Sequence, residues 1–449
     1  MEIIVTHLAS DFDSFAGMVA AKKILFSKET ENILFVISDL AKELNYKAYL
    51  VGGIVRDLLL NKQNLDIDIV VEGDGINFSR RLSEIINGKL WTHKKFKTSV
   101  IVLENKNHID VATARVEYYE KPAALPDIEE ASIRQDLYRR DFTINSMAIS
   151  LNKSNFGELI DYFGGRRDLK RKRIKIMHKL SIVEDPTRIF RAVRFEQRFS
   201  FKIDSQAESL IKNAIEMDII SKLSGVRIRD ELIAILEEDD PAKPLKRLYE
   251  YGVLRKININ AQINAKFENK IKKALEGHCE MKNFYGENIK KWRLFFSILL
   301  SDFNEEQLLE WCNEMKIKKK DTEIISNAIY VFPDLQKNLA VSKIGNSELY
   351  QLLKNTAPEL QAKLYSSGGS IKKNILRYAQ DLKDIKLDIN GEKLIGMGFK
   401  NGPEIGKALD QLLDLKLDCK VKNKEEEISA AELLLENIFK KQVRSNSLI

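Results

Sequence analysis

The stretch KAYLVGGIVRDLLLNKQNLDIDIVVE, residues 47–72, decides how the rest of the chain is read. Residues 47–51 form an apolar run that reads as a strand, residues 54–60 as a helix, and residues 65–72 as a second strand. Between the first strand and the helix stand Gly52 and Gly53. Glycines at such a turn let the backbone fold back tightly and bring successive N–H groups against a phosphate. Taken alone, the pair means only a tight turn. The second strand adds chemistry. Alternate residues of a strand share a face, so Asp66 and Asp68 point the same way, about 6–7 Å apart along the chain, while Ile67 and Ile69 face the core. Neighbouring carboxylates repel, and burying that repulsion is costly unless cations neutralise it. Hard divalent ions such as Mg²⁺ prefer oxygen ligands, and paired ions clamp the attacking and leaving oxygens of phosphoryl transfer. Two surface aspartates on a solvated edge strand are the bland alternative.

Working outward, residues 99–103 and 108–112 look like a hairpin turning at 104–107, and a helix is expected over 33–44 before the first strand. Asp110 is then a third carboxylate, beside the other two if its strand pairs with 65–72; one sequence does not fix that register. The mixture of strands and helices runs to about residue 170. Beyond it apolar residues recur at helical spacing, as in Leu232-Ile233-Ile235-Leu236 and Leu245-Leu248-Tyr249. Gly391, Gly396, Gly398, Gly402-Pro403 and Gly406 then point to a C-terminal unit of loops and short helices. The expected fold class is α+β: a small head of mixed sheet and helices, followed by an all-α neck, body and tail.

Composition narrows the function classes. The 449 residues carry 73 Lys and Arg against 66 Asp and Glu, a net charge of +7 that permits a polyanionic partner without demanding one. No apolar run approaches the roughly 20 residues that cross a bilayer, so no membrane role is expected. The opening residues lack the order of a signal peptide. Cys279, Cys312 and Cys419 are too widely spaced for a disulfide framework or a zinc cluster, which fits a cytoplasmic setting. Basic residues cluster at Arg166-Arg167, at Lys170-Arg171-Lys172-Arg173, and at Arg188, Arg191, Arg194 and Arg198; a solvated face is their bland reading. The five histidines do not cluster and none is assigned a role. Trp91, Trp292 and Trp311 are read as core.

Gly52-Gly53-x-x-Arg56-Asp57 followed by Leu65-Asp66-x-Asp68 resembles the signature of polymerase-β-like nucleotidyltransferases. Downstream blocks narrow the resemblance to class II tRNA nucleotidyltransferases and bacterial poly(A) polymerases. They are Ala114-Arg115 before a proline-containing loop, Arg139-Arg140-Asp141-Phe142-Thr143-Ile144-Asn145, Asp161-Tyr-Phe-Gly164-Gly165, Glu184-Asp185-Pro-Thr-Arg188, and Arg227-Ile-Arg-Asp-Glu231. The resemblance implies a head at 27–170, a base-recognising neck at 171–240, and a body at 241–384 and tail at 385–449 that grip the acceptor and TΨC arms of tRNA.

Carried onto these positions, the resemblance makes Asp66 and Asp68 the Mg²⁺ ligands, with Asp110 as a third catalytic carboxylate. Gly52, Gly53 and Arg56 would cradle the triphosphate of CTP or ATP, with Asp57 in the same nucleotide-binding set. Arg139, Arg140 and Asp141 would address nucleotide phosphate and ribose, with Arg115 also in the nucleotide-binding set, Asn145 as brace and Asp141 also able to cap a helix start. Asp185 and Arg188, three apart on a helix, would present an acceptor and a planar donor fork to a base edge, so that protein replaces a template. Arg191 and Arg194 extend that nucleotide site, and Arg227 and Glu231 would orient the pair. The segment 115–126, with Arg115 and Glu117, resembles the loop that helps switch from C to A addition. The first 26 residues resemble the opening motif of DHH-type phosphoesterases, a vestige or splice without the histidine blocks of a hydrolase. The expected activity is untemplated addition of CMP and AMP to the tRNA 3′ end, as CCA, A or CC. A poly(A) polymerase and a catalytically silent RNA-binding protein are the alternatives; oligomeric state is not legible.

Overall fold

The structure is a computed structural model that describes residues 28–62, 66–341 and 343–446; the DHH-like stretch 1–26 lies outside the described residues. The chain divides into two compact units, Met1–Ile235 with Arg247–Ile257, and Leu236–Lys246 with Asn258–Ile449.

The first unit is built on a mixed sheet of β1 (Lys47–Val51), β2 (Ile67–Glu72), β3 (Lys89–His93), β4 (Thr98–Val102), β5 (His108–Thr113), β8 (Ala148–Ser150) and β9 (Leu159–Ile160). Among the described residues their order is β3-β4-β5-β2-β1-β8-β9. The pair β6 (Arg115–Tyr118) and β7 (Asp127–Glu130) forms a separate antiparallel ribbon. The hairpin expected at 99–112 is β4 and β5. β5 lies parallel to β2, with Asp68 directly opposite Asp110. Asp66 stands just ahead of β2, and the strand begins at Ile67.

Alternation sets the faces. Ile69, Ile101, Ile109 and Val111 are buried beneath the helix Gly75–Ile85, whose Phe78 and Leu82 are fully enclosed. Asp74 starts that helix by accepting from the amides of Ile76 and Asn77, both at 3.0 Å. On the opposite face Tyr49, Val51, Val70, Ala114, Ile133, Leu137 and Ala148 form a second apolar cluster. It covers one end of that face and leaves the end bearing Asp68 and Asp110 uncovered.

After the sheet the unit turns helical, through Gly165–Lys170, Ser181–Glu184, Thr187–Phe199, Ser205–Glu216 and Gly225–Leu236. The second unit is helical throughout its described residues. In it the helices Ala265–Tyr285 and Pro358–Tyr365 cross closely at Gly277, where a Cβ would stand 2.2 Å from the Ala362 carbonyl oxygen. Buried Glu359 holds the next turn by accepting from the Lys290 amide at 3.0 Å and Arg293 at 3.1 Å. The glycine-punctuated end of the chain differs from the reading as short helices. It carries long ones, Pro403–Leu417 and Lys424–Asn446, around an apolar cluster that includes Leu394, Phe399 and Leu412. Gly398 and Gly402 cap the turn between two helices, whereas Gly391, Gly396 and Gly406 lie within helices.

Trp91 is not core. It is 51% exposed, because β3 is the sheet's edge and all its residues but Leu90 are exposed. Trp311 is buried at 3%.

Gly165 is the tightest point of the head. Its amide donates to Asp161 Oδ1 at 2.7 Å, and a Cβ would meet the Thr143 carbonyl oxygen at 2.2 Å and Met147 Cγ at 2.8 Å. Gly165→Ala is therefore expected to destabilise the unit by about 1–3 kcal/mol through overpacking. A lowered urea midpoint at unchanged slope checks this; an unchanged midpoint would show that the backbone yields without cost.

Candidate active site

Gly52 adopts φ 78, which only glycine reaches without strain, and a Cβ there would stand 3.3 Å from Asp68 Oδ2 and 3.1 Å from Arg140 Nη1. The glycine turn, a carboxylate and an arginine thus meet at one point. Pairing of β2 with β5 sets Asp110 beside Asp68, and His108 Nε2 lies 4.0 Å from Asp66 Oδ1 and 3.8 Å from Asp110 Oδ2. Sequence reading passed over His108.

The electrostatics follow from this crowding. Burial is the largest cause pushing Asp68 up to about 6; Arg140 opposes it, and Asp110 and Asp66 add to it. Asp110 is also raised, first by burial, with His108 opposing and Asp66 adding. A charge disfavoured by its surroundings is what a bound cation would relieve. Among the described residues no three Asp, Glu, His or Cys side chains converge as a ready ligand set. A hard cation here would complete its shell with water and substrate oxygens, as Mg²⁺ does when carried by one or two carboxylates. The residues present fit such an ion.

A cleft of about 860 Å³ opens beside the carboxylates, lined by Gly52, Gly53, Arg56, Asp57, Asp66, Asp68, Glu117, Tyr119, Arg139, Arg140, Asp141, Asn145, Asp185, Arg188, Arg191, Arg194, Phe195 and Arg198. Nearly every residue singled out from sequence is brought together there. Asp110 and Arg115 are not in the lining: Asp110 adjoins through Asp68, and Arg115 acts through Glu117. The helix Thr187–Phe199 turns Arg188, Arg191, Arg194 and Arg198 toward one side. Arg191 and Arg194 lie over the Phe195 ring at 5.3 and 5.2 Å, and Arg198 over Phe199 at 5.6 Å. This basic run lines a cleft and is not a solvated face.

Several roles differ from expectation once hydrogen bonds are counted. Buried Arg56 spends its fork inside the protein, giving Nε and Nη2 to Asp57 at 2.9 and 3.0 Å and Nη1 to Asn145 at 2.6 Å. Asp141 accepts from the Phe142 amide and Asn145 with Oδ1, and from Arg191 with Oδ2. Both of its oxygens are engaged, so it orients Arg191, and only a three-residue 3₁₀ turn, Thr143–Asn145, follows it. Asp185 does not ride the helix of Arg188. It is extended, at φ −133 and ψ 90, just before that helix, and its Oδ1 accepts from the Thr187 amide at 3.0 Å and from Arg227 Nη2 at 2.5 Å. Pro186 forces the break, since the residue before a proline avoids helical conformation. Arg188 is 4% exposed and moored by Ser181 Oγ and, at 2.8 Å, by the carbonyl oxygen of Arg139. Arg227 therefore holds Asp185, whereas Glu231 lies 3.9 Å from Arg191.

The residue that sequence reading missed is Asp136. Wholly buried, it takes Arg139 Nη2 on Oδ1 at 2.8 Å and Arg140 Nη2 on Oδ2 at 3.0 Å. Its helix, Ile133–Tyr138, ends as these arginines begin. Spacing of three and four residues from a pair of arginines was the available signal. Arg139 reaches on to Glu117 Oε1 at 2.9 Å, which also receives Arg115 at 3.0 Å, while Tyr119 donates to Oε2 at 2.9 Å. The segment 115–126 is thereby clasped to the cleft wall at its base.

Comparison with known proteins matches this geometry to a family. Residues 48–175 match the poly A polymerase head domain, and residues 200–259 match a probable RNA and SrmB-binding site of polymerase A. The A-adding tRNA nucleotidyltransferase of Halalkalibacterium halodurans is 31% identical over 83% of this chain and 84% of its own. The chain belongs to the tRNA nucleotidyltransferase and poly(A) polymerase family. Members of this family work with a divalent metal ion. The A-adding tRNA nucleotidyltransferase of Geobacter sulfurreducens is 37% identical over 90% of this chain, but the chain spans about half of that relative's length, 47%. The Thermotoga maritima CCA-adding enzyme complexed with tRNA-CCA superposes with a TM-score of 0.69 at 33% identity, over 94% of this chain and 98% of that one.

For Asp136, burial raises the carboxyl, but Arg139 and Arg140 outweigh it and hold the group below its ordinary value of 3.8. A depressed folded value means that the stabilisation is complete above the unfolded value and is lost as pH falls through the folded one. Asp136→Asn is expected to cost about 3–5 kcal/mol at pH 7 by stranding two arginines, and the loss should shrink below about pH 4. Urea melts at pH 7 and pH 3 check both; equal costs at the two pH values would contradict the ion-pair account.

Proposed function

We propose that this chain transfers single nucleotides from nucleoside triphosphates to the 3′ end of tRNA, without a template and with release of pyrophosphate. One observation carries the proposal: carboxylates in register beside Gly52 open into an arginine-lined cleft in which Asp185 and Arg188 are each fixed in place. Asp66 and Asp68 are assigned as the metal ligands, Mg²⁺ in this reading. A divalent ion held there would supply the charge that activates the attacking 3′-hydroxyl and steadies the leaving pyrophosphate. Gly52 and Gly53 admit the triphosphate close to the backbone, and Arg194 and Arg198 offset its charge. Arg56, Asp57 and Asn145 brace that turn; Arg139 and Arg140 set the cleft wall, with Arg115 joined to it through Glu117; Asp141 aims Arg191. At the base end Asp185 Oδ2 and Arg188 Nε make no hydrogen bond within the described residues, so acceptor and donor remain for a base edge.

The Geobacter and Halalkalibacterium relatives are named for A addition, and we take a terminal AMP as the product on tRNA ending in CC. Addition of the whole CCA is the second reading, supported by likeness to the Thermotoga enzyme. In this reading residues 27–170 act as catalytic head, 171–240 as neck, and 241–384 with 385–449 as the surface that meets tRNA mainly through phosphates. No helix among the described residues is long and apolar enough to cross a membrane, and we place the reaction in the cytoplasm with its tRNA.

Purified protein with Mg²⁺ and tRNA ending at the discriminator, at C, or at CC should be offered labelled CTP or ATP separately. A single labelled A on the CC-ended tRNA alone is the expected result. Label from CTP on the shortest tRNA would establish full CCA addition, and long A-tails a poly(A) polymerase. EDTA should stop incorporation and Mg²⁺ restore it. Asp66→Ala should lower incorporation more than about 100-fold, beyond the loss typical of an outer-shell residue, with tRNA binding retained; full residual activity would remove the metal assignment. Arg227→Ala, which frees Asp185 without touching nucleotide, should raise misincorporation of CTP while the tRNA KM stays level.

A further inference from the structure

The sheet face that carries Asp68 does not end at the carboxylates. Register runs from Asp68 to Asp110, from Asp110 to Val100, and from Val100 to Trp91. Side chains in such a lateral row share a face. Two residues along, His108 stands opposite Val102, and Val102 opposite Lys89. On β4 and β5 this face stays half-open, whereas the alternate residues are buried beneath the helix Gly75–Ile85. The row finishes at the edge strand with Trp91, 51% exposed, followed by exposed Lys94 and Lys95. An indole lying open on a sheet contributes little to folding and much to a contact.

We propose that this strip, from the carboxylates across Asp110 and Val100 to Trp91, is the track along which the 3′-terminal segment of the acceptor RNA lies, with Trp91 stacking on a base upstream of the reacting hydroxyl. The inference rests on the transferase reading above and names the RNA path for that site. Three strand spacings separate the rows of Asp68 and Trp91, about 14 Å. That distance spans roughly four bases at the 3.4 Å rise of a stacked strand. Aromatic faces beside basic side chains are how single-stranded nucleic acid is held without sequence readout. Lys89, Lys94 and Lys95 supply the basic part. They also oppose the other occupant of an edge strand, a second copy of this chain, because like charges would meet along β3. The nucleotide cleft lies on the arginine side of the carboxylates, so triphosphate and RNA reach the reacting centre from different directions.

The test uses full-length Trp91→Ala and Trp91→Phe beside the wild type. With ATP saturating and CC-ended tRNA varied, W91A should raise the tRNA KM about tenfold while kcat and the ATP KM stay within about twofold, and W91F should recover most of the loss. In a second arm, a single-stranded RNA of about eight nucleotides, the size such a groove holds, should quench tryptophan fluorescence in the wild type and not in W91A. That arm needs no catalysis. Quenching by a wild type that extends no tRNA would sink the transferase reading and leave the RNA track standing. An unchanged tRNA KM together with equal quenching would overturn the track. So would a parallel loss of kcat and ATP affinity in W91A, or self-association abolished by W91A at constant tRNA KM.

Discussion

Carboxylates held side by side repel, and the parallel pairing of β2 with β5 forces Asp68 and Asp110 into that position. Burial worsens the conflict by removing the water that would screen it. Two arrangements manage it. On one side Arg140 approaches Asp68 across Gly52, and seven arginines stand in the lining of the cleft. On the other side buried Asp136 holds Arg139 and Arg140 at a fixed angle, so that counter-charge is presented without collapsing onto Asp68 and Asp110. Were Arg140 free to swing, its shortest path would be an ion pair with Asp68, which would occupy the position that the proposed metal needs.

The cleft shows the same logic repeatedly: a charged side chain named by its sequence motif is aimed by another residue. Asp57 and Asn145 take the fork of Arg56, Asp141 takes Arg191, Arg227 takes Asp185, and Glu117 gathers Arg115, Arg139 and Tyr119. Removing one partner from such a set strands the other, and that cost exceeds the worth of the bond itself.

How much of this was legible in the sequence depended on the range of the interaction. Strand alternation placed Asp66 and Asp68 on one side, and the short turn at 104–107 announced the β4–β5 hairpin, because both are properties of neighbouring residues. The placement of Asp110 needed a long-range register that no local pattern encodes. Asp136 escaped although its spacing to Arg139 and Arg140 was visible, since a lone acid before two arginines also describes any surface helix. Asp185 and Arg188 were read as helical neighbours when Pro186 already argued for a break between them. Trp91 was assigned to the core from residue type alone; only the strand order shows that its strand has no outer neighbour among the described residues. In the second unit helical periodicity gave the class of structure, while the length of Pro403–Leu417 was masked by Gly402-Pro403 at its start and Gly406 within it.

One contact has an evolutionary reach. The guanidinium of Arg188 is tied to the main-chain carbonyl of residue 139 and not to the side chain there. Every amino acid presents that oxygen, so drift at position 139 could alter how the wall of the cleft is charged without casting Arg188 loose. On the proposed reading, a lineage could then retune which phosphates it grips while its choice of nucleotide stayed anchored, the two traits being separable because one is written in side chains and the other in backbone.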